Sequence, residues 1–119
     1  MSKGIEKKHT ETKPWGEFEQ FTHDQSSTVK ILTVNPHQAL SLQYHRQRSE
    51  FWKVISGEAT IVVGDNVFNA REGDEFFIAR GQNHRIQADN LSIKVLEISF
   101  GDFDENDIVR LEDKYNRTG

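Results

Sequence analysis

The sequence predicts an all-β domain of antiparallel strands, and three observations lead there. Apolar or alternating runs rich in Val, Ile and Phe recur at strand length, with turn signals roughly every 8–12 residues. Asn35-Pro36, Gly64-Asp65-Asn66, Glu72-Gly73-Asp74 and Asp89-Asn90 punctuate those runs. No interval between them holds the helical crossover that parallel strands need.

Taken in order, residues 1–12 are charged, lack a periodic apolar face and are expected to form a flexible tail ahead of a single domain over 13–119. Gly16-Glu17-Phe18-Glu19-Gln20-Phe21 reads as the first strand, and Thr28-Val29-Lys30-Ile31-Leu32-Thr33-Val34 as the second. Leu40-Ser41-Leu42-Gln43-Tyr44-His45 alternates cleanly. Phe51-Trp52-Lys53-Val54-Ile55 stops at Gly57, and Ala59-Thr60-Ile61-Val62-Val63 stops at Gly64. Shorter strands are expected at Val67-Phe68, Glu75-Phe76-Phe77-Ile78 and His84-Arg85-Ile86-Gln87, then a longer one from Leu91 to Phe100. The acidic run Asp104-Glu105-Asn106-Asp107 before Ile108-Val109-Arg110-Leu111-Glu112 predicts a short C-terminal helical segment.

Composition narrows the function classes. The 119 residues fit one domain, and eight phenylalanines give it the apolar bulk for a core. Fifteen Lys+Arg against nineteen Asp+Glu leave a formal charge of −4 with no basic stripe, so neither nucleic acid nor an anionic membrane is an expected partner. No apolar run exceeds four residues, and the charged start lacks a signal-peptide core, so a cytoplasmic location is expected. The absence of cysteine excludes disulfides, thiolate zinc sites and cysteine nucleophiles. Any metal must be held by nitrogen and oxygen.

One constellation meets that requirement. Side chains alternate across a strand, so Gln43 and His45 share a face. Glu50 follows after a tight bend, and His84 opens a distant strand after Gly81-Gln82-Asn83. Antiparallel packing in a small barrel brings Gln43, His45, Glu50 and His84 around one point, where two imidazoles, a carboxylate and an amide oxygen suit a divalent ion. His9, His23 and His37 carry no partner pattern.

The spacing resembles the cupin family. Its first motif has the form Gly-x5-His-x-His-x3–4-Glu-x6-Gly; here Gln43-Tyr44-His45 precedes four residues, Glu50, six residues and Gly57. Its second has the form Gly-x5-Pro-x-Gly-x2-His-x3-Asn; here Gly73 precedes five residues, Ala79-Arg80-Gly81, two residues and His84. Gln43, Ala79 and Ala88 replace the family's first His, its Pro and its closing Asn. Within the cupins the chain is similar to the cupin domain of type II mannose-6-phosphate isomerases, from Lys13 to about Arg117. Pro14-Trp15-Gly16, Lys30, Leu40-Ser41-Leu42-Gln43, Arg48-Ser49-Glu50, Trp52, Ser56-Gly57, His84-Arg85, Asp107 to Asp113 and Tyr115 carry that likeness. Arg46-Gln47, Phe51 and Asn116 depart from it.

The resemblance implies a jelly-roll barrel that interconverts mannose 6-phosphate and fructose 6-phosphate through an enediolate. Such proteins usually form part of a bifunctional isomerase and mannose-1-phosphate guanylyltransferase. This chain is too short to add a nucleotide-binding domain, so nucleotidyl transfer is not expected of it. A neutral Gln ligand beside one carboxylate leaves a +2 ion with net positive charge, which favours an oxyanion. Redox inactivity makes zinc the first choice, with Mn, Co, Ni or Fe able to take the same ligands. Lys30, on the face of Leu32 and Val34, and Glu97 on the long last strand are the candidate bases; a desolvated Lys30 would have its pKa lowered. Arg48, Arg85 and Arg110 are candidate phosphate partners, Arg110 foremost and Arg85 last because it alternates away from His84. Trp52 shares the face of Glu50 and is placed either in the pocket wall or in the core. A homodimer through sheet edges is expected. The alternatives are a non-catalytic sugar-phosphate-binding cupin, a non-haem iron cupin oxygenase, and an isomerase or epimerase of another phosphorylated or nucleotide-linked sugar.

Overall fold

The computed structural model describes residues 9–115, and every element among them is a β-strand. The strands are β1 (His9–Lys13), β2 (Gly16–Gln20), β3 (Ser27–Val34), β4 (Leu42–Tyr44), β5 (Arg48–Val63), β6 (Asn66–Arg71), β7 (Glu75–Ile78), β8 (His84–Gly101) and β9 (Val109–Glu112). β1 and β2 pair as a hairpin, so residues 9–12, expected in the tail, belong to a strand; residues 1–8 lie outside the described residues. All other strands join one seven-stranded antiparallel sheet in the order β6-β5-β8-β4-β9, with β3 on β8 and β7 on β5.

Two long strands replace four expected ones. Gly57 does not end a strand; it sits inside β5 at φ +87°, beside register shifts against β8. A Cβ there would lie 2.1 Å from the Ser92 carbonyl oxygen, so only glycine admits this close approach of the two strands. The β5–β8 ribbon folds over at this irregularity. Trp52 and Val54 from one half of β5 and Ile61 and Val63 from the other lie in a single buried cluster with Ile86, Ile93 and Val95 of β8. That doubling-over makes the barrel.

The expected C-terminal helical segment is a correction. Val109–Glu112 is strand β9, paired with β4 through Gln43↔Arg110 and Tyr44↔Val109. A segment this short gains too few helical hydrogen bonds to repay nucleation, whereas the edge of β4 offers ready partners. The acidic run before it makes a turn instead, with Asp107 N–H donating to the Asp104 carbonyl (2.9 Å) and Asn106 N–H to Asp104 Oδ1 (2.9 Å).

Register aligns the barrel interior in rows across three strands. Thr28, Ser99 and Glu50 form one row, Lys30, Glu97 and Trp52 the next, and Leu32, Val95 and Val54 a third. The polar rows lie at one end of the interior and the apolar rows fill the rest.

Candidate metal centre

Alternation along β5 puts Arg48, Glu50, Trp52 and Val54 on the inner face. Gln43 of β4 stands opposite His84 of β8 in register, and His45 follows two residues later, on the same side as Gln43. The fold thereby gathers His45, Glu50 and His84, whose ligand atoms all lie within 4.8 Å of one another. All three are buried.

Hydrogen bonding sets which ring atom each histidine turns inward. His45 Nδ1–H donates to the Asp107 carbonyl (2.6 Å), and His84 Nδ1–H to the Gln82 carbonyl (2.9 Å). A carbonyl oxygen only accepts, so Nδ1 carries the proton in both rings and each neutral imidazole keeps its lone pair on Nε2. Both rings are held neutral. Burial lowers the pKa of His45, and it drives that of His84 down to about 4.

Two unprotonated Nε2 atoms therefore face each other at 3.2 Å, each 3.6 Å from an oxygen of Glu50. Glu50 Oε1 is buried without a hydrogen-bond partner. Converging lone pairs with no proton between them, beside an orphaned carboxylate oxygen, fit a divalent cation. Gln43 lies at the rim of this group, its Nε2 3.5 Å from His45 Nε2 and its Oε1 accepting from Ser41 Oγ (2.5 Å). Because the Ser41 hydroxyl accepts as readily as it donates, a turned amide keeps that bond and aims its oxygen at the cluster.

Above the cluster, Arg48 is buried. Its Nη2–H donates to His45 Nε2 (3.2 Å), its Nε–H to Glu50 Oε2 (3.1 Å) and its Nη1–H to the Asp104 carbonyl (3.1 Å). The Phe103 ring lies 4.5 Å from the guanidinium carbon. Beyond Arg48 opens a cavity of about 400 Å3 lined by Lys30, Arg48, Phe103, Glu105, Asn106 and Arg110. Three of those six side chains are cationic.

Glu97 and Trp52 complete the surroundings. The Trp52 indole N–H donates to Glu97 Oε2 (3.1 Å), and the indole meets the His84 ring edge-on at 5.4 Å. Burial, reinforced by the nearby Glu50 carboxylate, pushes Glu97 up to about 7. Trp52 is fully buried and belongs to the core beneath the site, away from the cavity wall.

Two of the expected site residues stand apart from the cluster. Lys30 faces inward in register with Glu97, yet 38% of its side chain is exposed where it meets Glu105 (3.8 Å), so it is not a desolvated lysine. Arg85 does not join the site; its guanidinium donates to the Leu40 carbonyl (3.2 Å) and to Glu112 (3.2 Å), lining a separate groove with His37 and Lys114. Sequence reasoning missed Ser41, Phe103 and the supporting role of Asp107. The carboxylate of Asp107 accepts from Arg46 N–H (2.9 Å) and Gln47 N–H (2.8 Å), locking the bend after His45. The signal for it was an Asp in a turn-prone acidic run.

Residues 2–113 match the family described as mannose-6-phosphate isomerase C-terminal. The xanthan biosynthesis protein XanB of Xanthomonas campestris pv. campestris (strain B100) is 39% identical over 108 residues, which cover 89% of this chain and 23% of XanB. The alginate biosynthesis protein AlgA of Pseudomonas putida is 35% identical, covering 89% of this chain and 22% of AlgA. The mannose-1-phosphate guanylyltransferase ManC of Salmonella typhimurium is 31% identical, covering 88% and 22%. The chain thus spans less than a quarter of the length of these relatives. Among solved structures, a cupin protein from Bacteroides fragilis superposes with a TM-score of 0.59 at 22% identity, covering 63% of this chain and 65% of that one. The DMSP lyase DddQ of Ruegeria pomeroyi gives 0.66 at 18% identity, covering 81% and 47%. These likenesses establish the cupin fold. Among the described residues, no helix is long and apolar enough to cross a membrane.

Proposed function

Since the chain belongs to the mannose-6-phosphate isomerase C-terminal family, we propose that it is a metal-dependent aldose–ketose isomerase acting on mannose 6-phosphate and fructose 6-phosphate. One observation carries the reading: a cavity lined by Lys30, Arg48 and Arg110 abuts, through Arg48, the buried cluster of His45, Glu50 and His84. Cations for a phosphate and ligands for a metal are thus neighbours. The name of the ManC relative, a mannose-1-phosphate guanylyltransferase, supports a mannose phosphate as the ligand class.

His45, Glu50 and His84 would hold the ion, with Gln43 as the fourth donor, and zinc suits this nitrogen–oxygen set. A bound divalent ion supplies Lewis-acid polarisation of the sugar oxygens at C1 and C2. The remaining tasks fall to side chains. Arg110 and Arg48 bind the phosphate through guanidinium forks, and Lys30 adds a charge at the cavity rim. Glu97 lies in the row beside Glu50 and is the carboxylate that carries a proton between C2 and C1. Trp52 fixes the orientation of that carboxylate. Lys30 is too exposed for the base and is assigned to the substrate's charge. The reading includes a cytoplasmic location. It also includes a homodimer, supported by the edge strand β3, which among the described residues pairs only with β8 and which exposes Val29 and Ile31.

The test is a coupled assay of fructose 6-phosphate formation from mannose 6-phosphate, run anaerobically on zinc-loaded and chelator-treated protein. Turnover by the loaded protein alone is the expected result. Binding of the sugar phosphate without turnover would replace this reading with that of a binding module.

A further inference from the structure

We propose that Arg48 is a built-in occupant of the metal site, and that a divalent ion binds by displacing its guanidinium into the adjoining cavity. The inference rests on the metal-binding reading above and adds an order of events to it.

The chemistry of His45 carries the argument. With its Nδ1–H committed to the Asp107 carbonyl, the ring has a single lone pair, on Nε2. Arg48 Nη2–H already uses that lone pair, at 3.2 Å. An N–H donor and a metal ion cannot share it, so the two states exclude each other at this atom. Glu50 Oε2 is engaged in the same way by Arg48 Nε–H, at 3.1 Å. In this arrangement one positive charge neutralises Glu50 and caps a histidine pair that would otherwise meet lone pair to lone pair at 3.2 Å.

Access points the same way. Only 3% of His45 and 1% of Glu50 are exposed, and Arg48 stands between them and the cavity. The guanidinium thus lies between a substrate oxygen in the cavity and the ligands. Once displaced, Arg48 has somewhere to go. Its stem enters from β5, and Phe103, already stacked on the guanidinium, lines the cavity alongside Arg110 and Lys30. Displacement therefore opens the ligand cluster and frees the third of the cavity's cations for the phosphate. Metal first, sugar phosphate second is the order that follows.

Calorimetric zinc titration of chelator-treated wild type, Arg48→Met and Arg48→Lys tests the proposal, with the Arg48 Nε–H resonance followed by NMR in the wild type. Arg48→Met no longer spends zinc binding on breaking two charge-assisted hydrogen bonds, so its affinity should rise by about ten- to a hundredfold. The wild-type Nε–H signal should lose its protection as zinc is added. Equal or weaker zinc binding by Arg48→Met, with an unchanged Nε–H signal, would overturn displacement while leaving the metal reading intact. Absence of zinc binding in all three proteins would overturn both. Where Arg48→Met fails to fold without zinc, because Glu50 is left unpaired, Arg48→Lys decides. Lysine cannot fork to both acceptors, so this variant should bind zinc tighter than wild type, and equal affinity would sink the idea.

Discussion

The indole N–H of Trp52 and the Oε2 atom of Glu97 meet at 3.1 Å across neighbouring positions of β5 and β8. A fully buried aromatic thus holds one oxygen of a carboxyl that burial and Glu50 have raised to about 7. The bond favours the ionised form, because indole only donates. Replacing Trp52 with Phe removes the donor and keeps most of the packing. The Glu97 carboxyl should then titrate about one pH unit higher, and the acidic limb of the pH–rate profile of the proposed isomerisation should move with it. A carboxyl-labelled NMR titration of Glu97 checks the shift without relying on activity.

Ligand and phosphate residues should separate cleanly. His45→Ala, Glu50→Ala and His84→Ala should each weaken zinc binding more than about a hundredfold, read by titration and metal content. Arg110→Ala should leave zinc binding alone and weaken phosphorylated over unphosphorylated sugar by about ten- to a hundredfold. Equal loss for the two sugars would contradict a phosphate role for Arg110.

Acid stability of the metal-free protein offers a third check. His84 has a folded pKa of about 4 against an ordinary 6.5, lowered by burial, so its stabilising contribution is complete above 6.5 and is lost as pH falls through 4. Glu97 works in the opposite sense. Raised from 4.5 to about 7, it stabilises fully below 4.5 and loses that contribution as pH rises through 7. The two nearly cancel between pH 4.5 and 6.5. Metal-free Glu97→Gln should expose the histidine side alone, losing about 3 kcal/mol between pH 6.5 and 4 in urea denaturation, with His45 adding in the same direction. A flat profile for this variant would show that His84 is not held neutral by the fold.

Gly57→Ala should cost more than about 3 kcal/mol, because the new methyl meets the Ser92 carbonyl oxygen at 2.1 Å and the backbone sits at φ +87°. Chemical denaturation measures the loss.

Alternation made the strands and the antiparallel class legible in the sequence, and motif spacing pointed to His45, Glu50 and His84. Less legible was everything decided by partners distant in the chain. Gly57 carried a turn signal, yet its meaning depends on Ser92 lying close against it. Val109–Glu112 carried a weak helical pattern that the open edge of β4 overrode. The neighbours of Lys30 predict an inward face, but its 38% exposure follows from an adjoining cavity that no periodicity reports. The spacing places Arg48 as a cation near the cluster; its contact with His45 depends on how the chain bends between them.

The doubled-over β5–β8 ribbon carries a thermodynamic consequence. Glu50 pairs with Ser99 near one end of the ribbon, while His84 pairs with Val63 at the other. The cluster exists only when both ends have come together over Gly57. An ion held by both ends acts as a clasp on the barrel, so its binding energy adds directly to the free energy separating the closed chain from any opened one. Loss of the ion should loosen the ribbon as a whole, with amide protons across the fold beginning to exchange together.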